Sequence, residues 1–403
     1  MSQTQTPFRP AARVGRITSS ALRDLLALVE KPGVISLAGG LPAEALFPTQ
    51  RTRRLLDEML GADPTALQYS ATEGQPALRE WIAARHGVGV DQVVVTHGSQ
   101  QGLDLVARAV LDPGDTVVLA DPGYVGAVQA LALSGGRLTA VPGDDDGLDV
   151  SVLERRLRGG LRPRLVYVVP HFHNPTGAVL SVARAGRLAA LAERYGFVLV
   201  EDDPYREIHF DGPPAPPLCR LSAAVVTMGT VSKTLFPGLR VGWVVAPPAL
   251  ARTLALVKQA TDLHTSTLAQ RLVGHLLGDA AFFDAHLARL RTEYGHRART
   301  LWSALTEAFG AELDVRPATG GMFLWARLTR PDADTDTEAL LRRAVEHGVG
   351  YVPGTAFSVA GDHRRYLRLS YAGVDPADLV TAADRLAAAL RPEAPRRRRH
   401  CAL

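Results

Sequence analysis

Six short apolar runs punctuate the middle of the chain: "DQVVVT", "DTVVLAD", "RLVYVVP", "FVLVEDD", "AVVTMG" and "RVGWVVA". Each is rich in β-branched residues and bounded by Gly, Pro or Asp, the pattern of a strand buried on both faces. Between the first two, Leu103, Val106, Ala107 and Val110 recur at helical spacing, and between the third and fourth Leu188, Leu191, Ala192 and Tyr195 do the same. The alternation predicts crossover helices around a mainly parallel sheet, an α/β fold. After about residue 280 the texture changes to long helical stretches such as "AFFDAHLARLRTEYGHRARTLWSAL", with one strand candidate at "GGMFLWARL", which predicts a smaller α+β domain. Near the N-terminus "SALRDLLALVE" is amphipathic, with Leu22, Leu25, Leu26 and Val29 on one stripe. The Pro-rich "DGPPAPPLCR" reads as a surface loop and the residues from Pro392 onward as a disordered tail.

A chain of 403 residues, 46% hydrophobic and 21% charged, can bury a large core in about two domains. Its formal charge of +4 is accounted for by Arg396, Arg397, Arg398 and Arg399, so the body carries no basic patch for nucleic acid. Cys219 and Cys401 form neither a disulfide framework nor a metal cluster. The N-terminus lacks the apolar core of a signal peptide and no run is long enough to span a bilayer, so the expected compartment is the cytoplasm.

In open α/β sheets, ligands gather at the carboxyl ends of the strands. Four motifs fall there. In "THGSQQGLDL" a strand ends and Ser99 and Gln100 open a helix, which suits a phosphate; taken alone, the plainer reading of Ser99 is a helix cap. In "PHFHNPTG", Asn174 can aim its amide at a ligand oxygen, although such a run is commonly a turn. His171 and His173 have no carboxylate or cysteine partners at ligand spacing, so no metal is expected. In "VEDDPYRE", Asp202 and Tyr205 can address two edges of one planar ring, with helix capping by Asp202 or Asp203 as the plainer reading.

The fourth motif is "GTVSKTLFPGLRVGW". Lys233 follows a strand, stands near Thr230 and Ser232, and has Arg240 close in sequence; a desolvated lysine beside a cation becomes a nucleophile for carbonyl groups. Together the four supply what pyridoxal phosphate requires: an amine, a carboxylate, donors for the phenolic oxygen and a phosphate cradle.

With "VISLAGGLPAEALFP", "LQYSATEGQPALRE", "DPGYVGA", "GGMFLW" and "YLRLSYA" added, the chain resembles the fold type I pyridoxal-phosphate aminotransferases from about Gly15 to Leu390. Within them it is most similar to the 2-aminoadipate and kynurenine subgroup. The resemblance implies an N-terminal arm and helix (1–45), a large cofactor domain (46–285), a small C-terminal domain (286–391) and a basic tail (392–403). It implies that Lys233 forms the Schiff base and moves the proton, that Asp202 partners the pyridine nitrogen, and that Asn174 and Tyr205 donate to the phenolic oxygen. Ser99, Gln100, Thr230, Ser232 and Arg240 would hold the phosphate, and Tyr124 would stack on the ring. Tyr69 would reach the neighbouring subunit's phosphate in a homodimer with shared sites. Arg368 would grip the substrate α-carboxylate with help from Asn174 and the Gly40 backbone, and Arg23 would meet the distal carboxylate of acidic substrates. The implied reaction is transfer of an amino group from an L-amino acid to a 2-oxo acid, with 2-oxoglutarate and glutamate as one pair in a ping-pong cycle.

Several positions depart from the family pattern: His173 stands where Gln is usual before Asn-Pro-Thr-Gly, Gly123 where a serine or larger residue is common, and "SATEG" and "FSVAGDH" differ from the acidic-substrate enzymes near the side-chain pocket. They leave open a second reading, a scaffold diverted to oxidation, hydroxylation or cyclisation of an amino acid. A third, a regulator sensing pyridoxal phosphate, would need a DNA-binding domain ahead of "RVGRITSS", where barely a dozen residues stand.

Overall fold

The computed structural model describes residues 11, 14, 15, 29, 31–212, 215–329 and 336–390. Its strands are β1 (Ile35–Ser36), β2 (Val93–Thr96), β3 (Thr116–Asp121), β4 (Arg137–Asp144), β5 (Gly147–Leu148), β6 (Leu165–Val168), β7 (Val198–Asp202), β8 (Val225–Thr230), β9 (Gly242–Val245), β10 (Leu313–Val315), β11 (Phe323–Leu328), β12 (Val349–Gly350), β13 (Val352–Pro353) and β14 (Tyr366–Ser370).

Eight strands form the main sheet in the order β2-β9-β8-β7-β6-β3-β4-β5. From β8 to β4 the neighbours run parallel, β9 is antiparallel to both β8 and β2, and β5 turns back on β4. Helices cover both faces, which is why these strands carry continuous Val and Leu runs rather than an alternation. In β3, Val118 and Ala120 pack with the helices Val150–Arg158 and Val182–Tyr195, whereas Val117 and Leu119 join the larger core on the opposite face. The expected stripe Leu103, Val106, Ala107 and Val110 is buried along the helix Gly98–Val110.

The C-terminal part is a four-stranded antiparallel sheet, β10-β11-β14-β13, against which the 30-residue helix Ala280–Phe309 packs, and the helix Pro376–Leu390 lies along that helix. The short β1 pairs in parallel with β12, tying the beginning of the described chain to this part. The amphipathic "SALRDLLALVE" lies outside the described residues except for Val29, which is buried against Gly350.

Two features depart from the sequence reading. The pattern of apolar runs does not reveal β4, because its "RLTAVPGD" is partly exposed and contains Pro and Gly, unlike its buried neighbours. The loop "DGPPAPPLCR" is not all surface: Pro217 and Leu218 are buried, and the Leu218 amide donates to the Glu201 carboxylate at 3.0 Å.

Candidate active site

Because β8, β7, β6, β3 and β2 share one direction, their carboxyl ends deliver Lys233, Asp202, Asn174, Tyr124 and Ser99 to one edge of the sheet. Reversed β9 begins at that same edge, so Arg240, just ahead of it, arrives there too. The cavity they enclose measures about 280 Å³ and is also lined by Gly40, Gln100, Tyr205, Thr230, Ser232, Phe323 and Arg368.

One end of the cavity is built for an anion. The helix Gly98–Val110 starts with His97 at its cap, placing Ser99 and Gln100 in the first turn, where backbone amides have no intrahelical acceptor. Ser99 is therefore not the cap that the plainer reading made it. Arg240 lies across this turn, donating from Nη2 to the His97 carbonyl at 3.3 Å. Space is tight: a Cβ on Gly98, whose φ is +73°, would stand 2.7 Å from Nη2 of Arg240, and one on Gly242 2.6 Å from the Gly98 carbonyl carbon. The Thr230 hydroxyl accepts from the Ser232 amide at 3.1 Å and lies 3.0 Å from the Val241 carbonyl, which fixes the loop carrying Lys233.

The other wall carries the acid and base groups. Lys233 Nζ donates to the Gly40 carbonyl at 2.8 Å. Burial, and then the Arg368 and Arg240 charges, lower its pKa from 10.5 to about 8. Asp202 is buried; Tyr167 donates to its Oδ2 at 2.7 Å and Oδ1 has no partner. Burial raises its pKa to about 6 against the opposing Tyr167 hydrogen bond. Tyr205 is buried and its pKa is raised, chiefly by desolvation. Burial, reinforced by the Asp202 charge, pushes the Tyr124 phenol up to about 12. Arg368 donates to Asn174 Oδ1 at 2.8 Å and to the Ala38 carbonyl at 2.6 Å, while its Nε is buried without a partner. Its guanidinium lies over the rings of Phe323 and Phe357, at 4.2 and 5.0 Å from their centres.

Every candidate residue except Tyr69 and Arg23 lines this one cavity. Tyr69 is 77% exposed and packs edge-on against His264 at 5.5 Å, outside the cavity. Arg23 lies outside the described residues.

Sequence reasoning misses three neighbours: Tyr167, Phe323 and Phe357. Tyr167 and Phe323 sit in apolar stretches where an aromatic residue reads as core, and Phe357 stands in the mixed run "PGTAFSVAG", which carries no pattern of its own. Two of the departures from the family pattern, Gly123 and His173, have physical accounts. A Cβ on Gly123 would lie 2.9 Å from the Ala120 carbonyl oxygen and 3.0 Å from Val359 Cγ2, so the turn has no room for a side chain. His173 is buried, its Nδ1 is 3.0 Å from the Thr176 hydroxyl, and burial lowers its pKa to about 4. Among the described residues no group of His, Cys, Asp and Glu could hold a metal ion, and no helix is long and apolar enough to cross a membrane.

Residues 32–386 match the family model for aminotransferase class I and II. The chain is 40% identical over 383 residues to 2-aminoadipate transaminase of Thermus thermophilus, covering 94% of this chain and 95% of that protein. It is 36% identical over 388 residues to aromatic-amino-acid aminotransferase 1 of Thermococcus litoralis, covering 93% and 92%. Among solved structures, the α-aminoadipate aminotransferase LysN of Thermus thermophilus, complexed with N-(5'-phosphopyridoxyl)-L-leucine, superimposes with a TM-score of 0.88 at 39% identity, covering 94% of this chain and 96% of that one. The site fits pyridoxal phosphate: an unpartnered buried carboxylate oxygen, an amine of lowered pKa and an amide-lined anion cradle surround one cavity.

Proposed function

Since this chain belongs to the class I and II aminotransferase family and uses pyridoxal phosphate, we propose that it passes an amino group from an L-amino acid to 2-oxoglutarate in two alternating half-reactions. The observation that carries the reading is the buried, unpartnered Oδ1 of Asp202 in the cavity that also holds Lys233.

When bound, pyridoxal phosphate supplies an aldehyde that joins amines and a ring that takes up the electron pair left at Cα. Asp202, with its unpartnered Oδ1, would hold the proton on the ring nitrogen, which makes such a ring a better electron acceptor. Lys233, with its pKa lowered to about 8, is neutral in about a tenth of molecules near pH 7, far more than an ordinary lysine, and could take the Cα proton and return it. The Tyr205 phenol and the Asn174 amide would donate to the phenolic oxygen; Asn174 accepts from Arg368 at Oδ1, which turns its NH₂ group, a hydrogen-bond partner of Tyr205, toward the donor role. Arg368 offers Nε and a spare proton on a terminal nitrogen as a two-pronged donor to the substrate carboxylate. Arg240, Ser99, Gln100, Thr230 and Ser232, which line the cavity together, would hold the phosphate, and Tyr124 would supply an aromatic face for the ring.

Among the described residues the cavity carries no cation beyond Lys233, Arg240 and Arg368. A distal carboxylate therefore depends on Arg23. The exposed Tyr69 supports a homodimer in which each subunit completes the other's phosphate site.

The test is a single-turnover absorbance measurement on cofactor-loaded protein, without oxygen or oxo acid. Glutamate should bleach the band of the bound aldehyde and 2-oxoglutarate should restore it. Recovery only on admitting oxygen would point to a different reaction and overturn the reading.

A further inference from the structure

The end of β3 is joined to the segment that follows β13 by a close polar contact. Asp121 Oδ1 accepts from the Val359 amide at 3.1 Å, and its Oδ2 accepts from the Ala360 amide at 3.2 Å. The ring of His363 approaches Oδ1 with Nε2 at 2.9 Å. Alongside, the Gly123 amide donates to the Phe357 carbonyl at 2.9 Å. Neither surface has room to spare: a Cβ on Gly361 would stand 2.7 Å from Asp121 Oδ2, and one on Gly123 3.0 Å from Val359 Cγ2. Both partners are sheltered, with the side chains of His363 and Asp121 15% and 9% exposed.

The same segment places the Phe357 ring on the guanidinium of Arg368. Phe357 meets Trp325 edge-on at 5.7 Å, and Trp325 in turn contacts His363 and stacks on Tyr366 at 5.2 Å. A chain of packed rings thus runs from the Asp121–His363 contact to the arginine. Phe323, the second ring against Arg368, is held separately as the first residue of β11.

We propose that Asp121 and His363 are positioning residues for the substrate carboxylate: docking segment 357–363 on the end of β3 holds Phe357 over Arg368 before substrate arrives. The proposal rests on the role given to Arg368 above. Every substrate of this reaction carries the α-carboxylate, so the latch acts alike on amino acids and oxo acids of any side chain. Preorganisation of this kind lowers the cost of binding and leaves proton transfer at Lys233 untouched.

The experiment compares holoenzyme with Asp121→Ala, His363→Ala and His363→Gln variants. Affinity is read from the cofactor absorbance with glutarate and 4-methylpentanoate, which have a carboxylate but no amino group to react. Losing the His363 contact, or all three contacts of the Asp121 carboxylate, should weaken both acids on the order of tenfold, with Asp121→Ala at least as strong as His363→Ala. His363→Gln, which can still donate to Asp121, should recover most of the affinity. KM for amino acids should rise by a similar factor with kcat within about twofold. Amide hydrogen exchange across residues 354–363 should quicken in Asp121→Ala without any ligand. Unchanged affinity in both alanine variants, or weakening confined to one of the two acids, overturns the proposal. A wild type that binds both acids but converts no amino acid would sink the transfer reaction, while weaker binding by the variants would still support the latch.

Discussion

Tyr167 donates its phenol proton to Oδ2 of Asp202 at 2.7 Å, leaving Oδ1 buried and unpartnered in the cavity. The bond draws the Asp202 pKa down while burial draws it up to about 6, so one hydroxyl sets how much carboxylate is present near neutrality. Tyr167→Phe should raise that pKa, and the acid limb of kcat in the pH profile should move to higher pH. Asp202→Asn should keep the cofactor yet lose turnover about a hundredfold or more. A Tyr167→Phe profile superimposable on wild type would show that the phenol is only packing.

Lys233 stands at about 8 through burial and the charges of Arg368 and Arg240. In cofactor-free protein the rate of capture of the aldehyde should rise with pH and level off above about 8, because only the neutral amine adds to it. Arg368→Gln removes one of those charges and should shift the midpoint upward, toward the ordinary 10.5. Lys233→Ala should fold and lose the absorbance band of the covalently held cofactor.

His86 and His173 are buried and held neutral, each with a pKa of about 4 in place of 6.5, mainly through desolvation. The unfolded chain takes up protons on them first as pH falls. Their share of stability is therefore complete above 6.5 and lost between 6.5 and about 4, on the order of 3 kcal/mol apiece. Urea denaturation compared at about pH 7 and about pH 4.5 should show the loss, and His173→Gln should lessen it.

Mixing two inactive homodimers tests the shared site. A hybrid of Lys233→Ala with Tyr69→Ala chains contains one site with both residues intact, so activity should return on subunit exchange. Continued inactivity, with hybrids shown to form, would place Tyr69 outside the site.

Arg23→Ala should raise KM for glutamate and 2-oxoglutarate more than for a neutral amino acid, by about tenfold if one carboxylate contact is lost. An equal effect on all substrates would make Arg23 structural.

Much of this is legible in the sequence because the chemistry sits where strands stop. Lys233, Asp202 and Asn174 each interrupt an apolar run with a polar group, a change of pattern visible without coordinates. Tyr167 gives no such sign: it lies within "RLVYVVP", and only the pairing of Tyr167 with Val200 on β7 brings its hydroxyl near Asp202. Asp121 and His363 are separated by 242 positions, so their contact belongs to the tertiary fold. Strand β4 escapes notice because an exposed face, a proline and a glycine erase the signature of a buried strand.

The reversal of β9 has a mechanical consequence. Since β8 ends at Thr230 and β9 starts at Gly242 beside it, a single connection, residues 231–241, carries both Lys233 and Arg240. Covalent anchor and ionic anchor thus work as the two jaws of one caliper, whose opening is set by chain length. An insertion between Thr234 and Leu239 would spoil the gauge while leaving both jaws chemically intact.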